Sequence, residues 1–231
     1  MNNYKHVFFD LDRTLWDLET NSRFALYEIY TDLKLTQLGV SDFDLFFQNY
    51  RKINDRLWDE YRRGIIEKES LRYQRFVEAL IFWGIDDISL AEKMGDAYIN
   101  SAPKRTALIA NTLTVLDYLK PKYQLHIITN GFDEVQHLKM ETSGLKPYFS
   151  AIITSENANF KKPDSRIFAF AMHLTGAKRT DSIMIGDSLE LDVLGAKKFG
   201  MDQVFFNPEK INHKYKITHD IENLSQLLKI L

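Results

Sequence analysis

Four short polar clusters hold the residues able to do chemistry, and each follows or lies downstream of an apolar run. Asp10-Leu11-Asp12-Arg13-Thr14 follows Val7-Phe8-Phe9, and Thr129-Asn130-Gly131 follows Leu125-His126-Ile127-Ile128. Lys161-Lys162-Pro163 lies beyond Ala151-Ile152-Ile153-Thr154, and Gly186-Asp187-Ser188, with Asp192 nearby, closes Ser182-Ile183-Met184-Ile185. Carboxylates at the end of a buried run lose hydration, and a divalent cation is the usual compensation. Asp10 and Asp187 supply hard oxygens suited to Mg²⁺. A carboxylate beside such a cation can attack phosphorus. Thr129, the backbone N–H groups around Asn130 and the Lys162 ammonium can hold phosphoryl oxygens, which leaves acid–base work for Asp12.

The elements that must position these groups alternate in type. Short β-rich runs at 7–9, 125–129, 151–154, 182–186 and 203–206 are separated by helical stretches at Asp133–Ser143, Ser165–Thr175 and Leu189–Phe199, with a helix over Asn111–Lys120 before the second run. Strands separated by helices imply right-handed crossovers and a parallel sheet, whose ligands bind beyond the carboxyl ends of the strands. A weak strand at 216–218 and a helix over 221–230 are expected at the tail.

Between the first two strands the pattern is helical only. Phe43, Phe46, Phe47, Tyr50, Ile53, Leu57, Trp58 and Tyr61 recur at steps of three and four, and further helices are predicted over 18–33, 67–83 and 90–100. Most of Phe46, Phe47, Trp58 and Tyr61 are expected to bury. Arg56, Arg62, Arg63, Arg72 and Arg75 are expected on a solvated face, whereas Trp16, near the hinge, is a candidate to face the site. The fold class is therefore α/β, a Rossmann-like parallel sheet formed by residues 1–15 and 104–231, with an α-helical insertion over 16–103.

Composition limits what such a site can serve. The 231 residues, 45% of them hydrophobic, can bury a substantial core, and a net charge of −2 with mixed signs supplies no basic stripe for a nucleic-acid polymer. With no cysteine there are no disulfides, thiolate metal sites or thiol nucleophiles, and the six histidines show no paired metal spacing. No apolar run reaches the length of a membrane helix. A cytoplasmic protein with no membrane partner is the expectation.

DLDRT at Asp10–Thr14, TN at Thr129–Asn130, KP at Lys162–Pro163 and GDSLELD at Gly186–Asp192 together resemble the four motifs of the haloacid dehalogenase-like hydrolase superfamily, in order along the chain. The resemblance implies that Asp10 is the nucleophile and Asp12 the general acid/base. It implies that Thr129 and Lys162 hold phosphate, and that Asp10, the Asp12 carbonyl and Asp187 bind Mg²⁺, with Asp192 and Ser188 in the outer shell. It also implies that the inserted helices form a cap. Arg13 stands where many members have glycine, a position that varies in the family.

FFDLDRTLWD, TNGFDEVQHLKMETSGL and IGDSLELDVLGA are similar to a branch of 5′-nucleotidases acting on pyrimidine nucleoside monophosphates. The implied substrate is a small phosphorylated metabolite, a nucleotide, cleaved through an aspartyl-phosphate. Three other activities share the fold: a 2-haloacid dehalogenase, a phosphosugar mutase or phosphatase, and a silent binding module. Asp12 argues against the first, because an alcohol leaving group needs a proton and halide does not. A silent module would have lost one of Asp10, Asp12, Lys162 or Asp187, and none is lost.

Overall fold

The computed structural model describes residues 4–231. These residues form two compact units, one of 4–18 with Thr106–Leu231 and one of Glu19–Arg105.

The first unit is built on a six-stranded sheet. Its strands are β1 (His6–Phe9), β2 (Gln124–Thr129), β3 (Ala151–Thr154), β4 (Ser182–Gly186), β5 (Asp202–Phe206) and β6 (His219–Ile221), in the order β3-β2-β1-β4-β5-β6. All pairings are parallel, with His6 registered against Gln124 on one side and Ser182 on the other. The chain steps outward from β1 to β3, then returns to lay β4 on the opposite side of β1. Strand order therefore reverses between β1 and β4, the place where an open parallel sheet leaves a crevice at its carboxyl edge.

Side-chain alternation along β1 divides the core. Val7 and Phe9 pack into one apolar layer with Leu116 and Leu119 of α5 (Thr112–Leu119) and Met140 of α6 (Asp133–Thr142). Phe8 points the other way, into the layer that holds Ala158 of α7 (Ser155–Ala158), Phe168 and Ala171 of α8 (Ser165–Thr175) and Ala196 of α9 (Gly195–Phe199). Helices on both faces bury the central strands β1 and β4 along their whole length, which is why they read as apolar runs. On the Phe8 face of β1 and β2, His6 Nδ1 and His126 Nε2 lie 3.1 Å apart. Burial, with His6 adding to it, lowers the His126 pKa to about 4, so this ring is neutral at physiological pH.

The second unit holds α1 (Leu18–Asp32, from Glu19 onward), α2 (Phe43–Arg62), α3 (Lys68–Ile81) and α4 (Ile88–Ser101) around a core that includes Leu26, Phe46, Tyr50, Phe76 and Met94. Asp42 caps α2 by accepting from the Leu45 amide at 3.0 Å, and Asp87 caps α4 by accepting from the Leu90 amide at 2.9 Å. Each such cap stabilises its helix by about 1 kcal/mol. Phe46, Phe47 and Tyr61 are buried as expected, while Trp58 is half-buried. Arg75 departs from the solvated face expected for it. It is buried, donates to Asn54 Oδ1 at 3.1 Å and lies 4.7 Å from the centre of the Tyr98 ring.

The tail differs from expectation by a few residues. The sixth strand forms at His219–Ile221 rather than 216–218, with Ile221 its one buried residue. The expected closing helix is a 3₁₀ segment over Leu224–Lys229. Its start is set by Asn223, whose side chain accepts from the Ser225 amide at 2.9 Å while Gln226 Oε1 accepts from the Asn223 amide at 2.9 Å. No helix among the described residues is long and apolar enough to cross a membrane.

Candidate active site

Lys162 organises the crevice between β1 and β4. Its side chain is only 2% exposed, and all three ammonium protons have acceptors. They go to Asp10 Oδ1 at 2.6 Å, Asp192 Oδ1 at 2.6 Å and the Ile128 carbonyl at 2.7 Å. The loop carrying Lys162 is pinned by Asn130. The Asn130 Nδ2 donates to the Lys162 carbonyl at 3.0 Å, and its Oδ1 accepts from the Lys162 amide at 2.7 Å. Motifs two, three and four thereby converge on the aspartate at the end of β1.

Asp187 leaves the end of β4 beside them. Thr14 Oγ1 donates to Asp187 Oδ1 at 3.1 Å and accepts from the Asp187 amide at 3.1 Å. Asp192 reaches the same crevice because the expected helix over 189–199 is not regular. The amides of Asp192 and Val193 both bond the Ser188 carbonyl, at 3.0 and 3.2 Å, and Leu189–Leu194 widens into a π-helical turn before α9. Such turns are frequent at functional sites. Asp192 Oδ2 then accepts from the Ser188 amide at 3.0 Å, while Ser188 Oγ caps the turn by accepting from the Leu191 amide at 3.2 Å.

The charges do not balance. Asp10, Asp187 and Asp192 each bring an oxygen within 4.8 Å of the others, against the ammonium of Lys162 and the Arg13 charge that acts on Asp187. Burial pushes the Asp10 carboxyl well above its ordinary range, with Asp192 and Asp187 raising it further and Lys162 opposing. Burial, then the charge of Asp192, takes Asp187 up to about 7. Burial works against the charged form of Lys162, yet Asp10 and Asp192 outweigh it and raise its pKa, so it stays an ammonium. Such a cluster fits a further cation, and an all-oxygen donor set suits a hard one such as Mg²⁺. Because both Asp192 oxygens are already engaged, Asp10 and Asp187 are the carboxylates left to face it.

Asp12 stands apart from this cluster. Its Oδ1 accepts from Lys139 Nζ at 2.6 Å and its Oδ2 accepts from Gln136 Nε2 at 2.9 Å. The same Gln136 nitrogen donates to Thr129 Oγ1 at 2.6 Å, and that hydroxyl also accepts from the Gly131 amide at 3.1 Å. Trp16 lies under this pair, with Lys139 Nζ 4.3 Å from its ring centre.

Asp10, Thr129, Lys162, Asp187 and Asp192 thus meet at one edge of the sheet. Asp12 is joined to Thr129 through Gln136, and Ser188 lies behind Asp192. The Asn130 side chain bonds the Lys162 backbone, and its main-chain amide is the group expected near phosphate. Gln136 and Lys139 were not legible as site residues. Their one signal is that two polar side chains share the buried face of α6 with Met140.

A carboxylate cluster thus lies at the switch point of a doubly wound sheet, with a second acid held separately. Residues 4–200 match the haloacid dehalogenase-like hydrolase family, and the chain belongs to it. Pyrimidine 5′-nucleotidase YjjG of Escherichia coli strain K12 is 28% identical over 227 residues, covering 94% of this chain and 96% of its own. Pyrimidine 5′-nucleotidase PynA of Streptococcus pneumoniae is 29% identical over 233 residues, covering 99% and 95%. The crystal structure of Bacillus subtilis YfnB bound to magnesium matches with a TM-score of 0.88 at 25% identity, covering 99% of this chain and 98% of that one.

Proposed function

We propose that the protein is a Mg²⁺-dependent phosphomonoesterase acting on pyrimidine nucleoside 5′-monophosphates through an aspartyl-phosphate on Asp10. The observation that carries this is the division of labour between two acids two residues apart. Asp10 lies within the cation-demanding cluster, and Asp12 lies outside it, held by neutral and cationic donors. The nucleotide preference is supported by the likeness to YjjG and PynA.

The chain's own residues supply most of the chemistry. Lys162 holds Asp10 by Oδ1, which orients the carboxylate for attack on phosphorus. As the Asp10–phosphorus bond forms, the phosphorus–ester oxygen bond breaks, and Asp12 gives its proton to the departing alcohol. Asp12 then takes a proton from water as that oxygen attacks phosphorus, which releases inorganic phosphate and restores Asp10. Thr129 and the main-chain amide at Asn130 hold phosphoryl oxygens. Mg²⁺ held by Asp10, Asp187 and the Asp12 carbonyl would neutralise charge on the phosphoryl group, with Asp192 behind Lys162.

The test is a phosphate-release screen over nucleoside monophosphates and sugar phosphates, ranked by kcat/KM with Mg²⁺ and with EDTA. Pyrimidine nucleotides should lead, EDTA should abolish release, and Asp10→Asn should be inactive. Undiminished turnover in Asp10→Asn removes the nucleophile assignment. Chloride release from 2-chloropropionate without phosphate release would make the protein a dehalogenase instead.

A further inference from the structure

We infer that Lys139 and Gln136 are positioning residues that hold the Asp12 carboxylate at two points and tie it to Thr129, an inference that rests on the acid–base reading of Asp12 above. Lys139 is 7% exposed and Gln136 is fully buried. A lysine so deep loses its hydration and needs a partner. Among the described residues its ammonium makes one ion pair, with Asp12 Oδ1 at 2.6 Å. Trp16 lies beneath the ammonium and fixes its place through the ring face, 4.3 Å away.

The arrangement on α6 is specific to a carboxylate. Residues 136 and 139 are one helical turn apart and share a face. Each takes a different oxygen of Asp12, Gln136 at 2.9 Å and Lys139 at 2.6 Å. One contact would leave the carboxyl free to rotate about its bond, and two fix its plane. Gln136 also spans to Thr129 Oγ1 at 2.6 Å. The group that moves the proton and a group that holds phosphate are therefore set by the same amide. Space for that amide depends on residue 131, because a Cβ there would lie 2.4 Å from Gln136 Cδ.

Packing alone gives no reason for these two side chains. Met140 beside them fills the apolar layer, and leucine or methionine at 136 and 139 would do so without burying an amide and an ammonium. A general acid must come within about 2.6–3.2 Å of its proton acceptor, and a misplacement of about 1 Å can cost on the order of a hundredfold in rate.

A double-mutant cycle tests this, with Lys139→Met and Asp12→Asn made singly and together. Kinetics use uridine 5′-monophosphate at saturating Mg²⁺, with kcat and KM read separately and the melting temperature of each variant recorded. Lys139→Met should lower kcat by about ten- to a hundredfold, with KM changed by less than about threefold. In the Asp12→Asn background it should add less than about a further twofold, because residues acting as one unit are not additive. An equal factor in both backgrounds, or a change in KM alone, overturns the inference. Gln136→Met, read in the same cycle, keeps the test open should Lys139→Met fail to fold. Full activity in Lys139→Met with an inactive Asp12→Asn removes this inference alone. Full activity in Asp12→Asn removes the acid–base reading beneath it.

Discussion

Thr14 and Asp187, 173 residues apart in sequence, exchange two hydrogen bonds of 3.1 Å, one in each direction. The hydroxyl orients the carboxylate, and the main-chain amide of the carboxylate residue in turn orients the hydroxyl. Partners of this kind typically contribute ten- to a hundredfold to metal affinity. Thr14→Val keeps the shape and removes both bonds. It should raise the Mg²⁺ concentration for half-maximal activity by about tenfold, and a titration of rate against Mg²⁺ reads the shift directly.

Mg²⁺ bound as proposed should also change how stability depends on pH. Asp10 and Asp187 have folded-state pKa values raised by burial, Asp187 to about 7. Groups raised on folding stabilise the protein fully below their unfolded pKa, about 4 for aspartate. That stabilisation is lost as pH rises through the folded value. Metal-free protein therefore loses stability from this source between about pH 4 and somewhat above pH 7. His126, lowered to about 4, acts in the opposite sense and is lost as pH falls below its unfolded value. Because His126 contributes equally with and without metal, the difference in melting temperature isolates the carboxylates. The Mg²⁺-induced rise should grow between pH 5 and pH 8, and a rise that is flat with pH would exclude this origin.

Lys162→Met should uncouple stability from activity. The ammonium is held by two buried carboxylates, and deleting one partner of a buried pair costs about 3–5 kcal/mol. Urea unfolding of the metal-free variant at pH 8 should show a loss of about that size, part of which Mg²⁺ recovers. Phosphatase activity should not recover, since the cation replaces the charge without restoring the hydrogen bond that orients Asp10.

Gly131→Ala probes the close approach beside Thr129. The added methyl would meet Gln136 Cδ and Nε2, both at 2.4 Å, so the amide must withdraw from Asp12 and Thr129. We expect kcat to fall by about tenfold, with the double variant Gly131→Ala/Gln136→Ala no worse than Gln136→Ala alone. Multiplying losses would show that the methyl acts elsewhere.

How far the sequence reveals this molecule depends on whether the cause is local. β1 to β5 are mostly apolar because most of their residues are covered on both faces of the sheet, so composition alone marks them. β6 has a single buried residue and lies at the edge, which is why its register escapes by three positions. Asp10, Asp187 and Lys162 are legible because each sits at or beyond a strand end, where chemistry collects in this architecture. Gln136 and Lys139 are not, since only the rotation of α6 about its axis decides that they meet Asp12. The same is true of the π-helical turn, which a one-dimensional pattern renders as an ordinary helix over 189–199.

The central place of β1 has a further consequence for the newborn chain. Synthesis passes Asp10, just beyond β1, well before it reaches either strand that flanks β1, namely β2 and β4. At synthesis rates of about 5–20 residues per second, the nucleophile waits on the order of ten seconds or more for Lys162, Asp187 and Asp192. Until then it is an ordinary solvated aspartate. A ribosome-stalled nascent chain ending before β4 should therefore be inert toward phosphate esters.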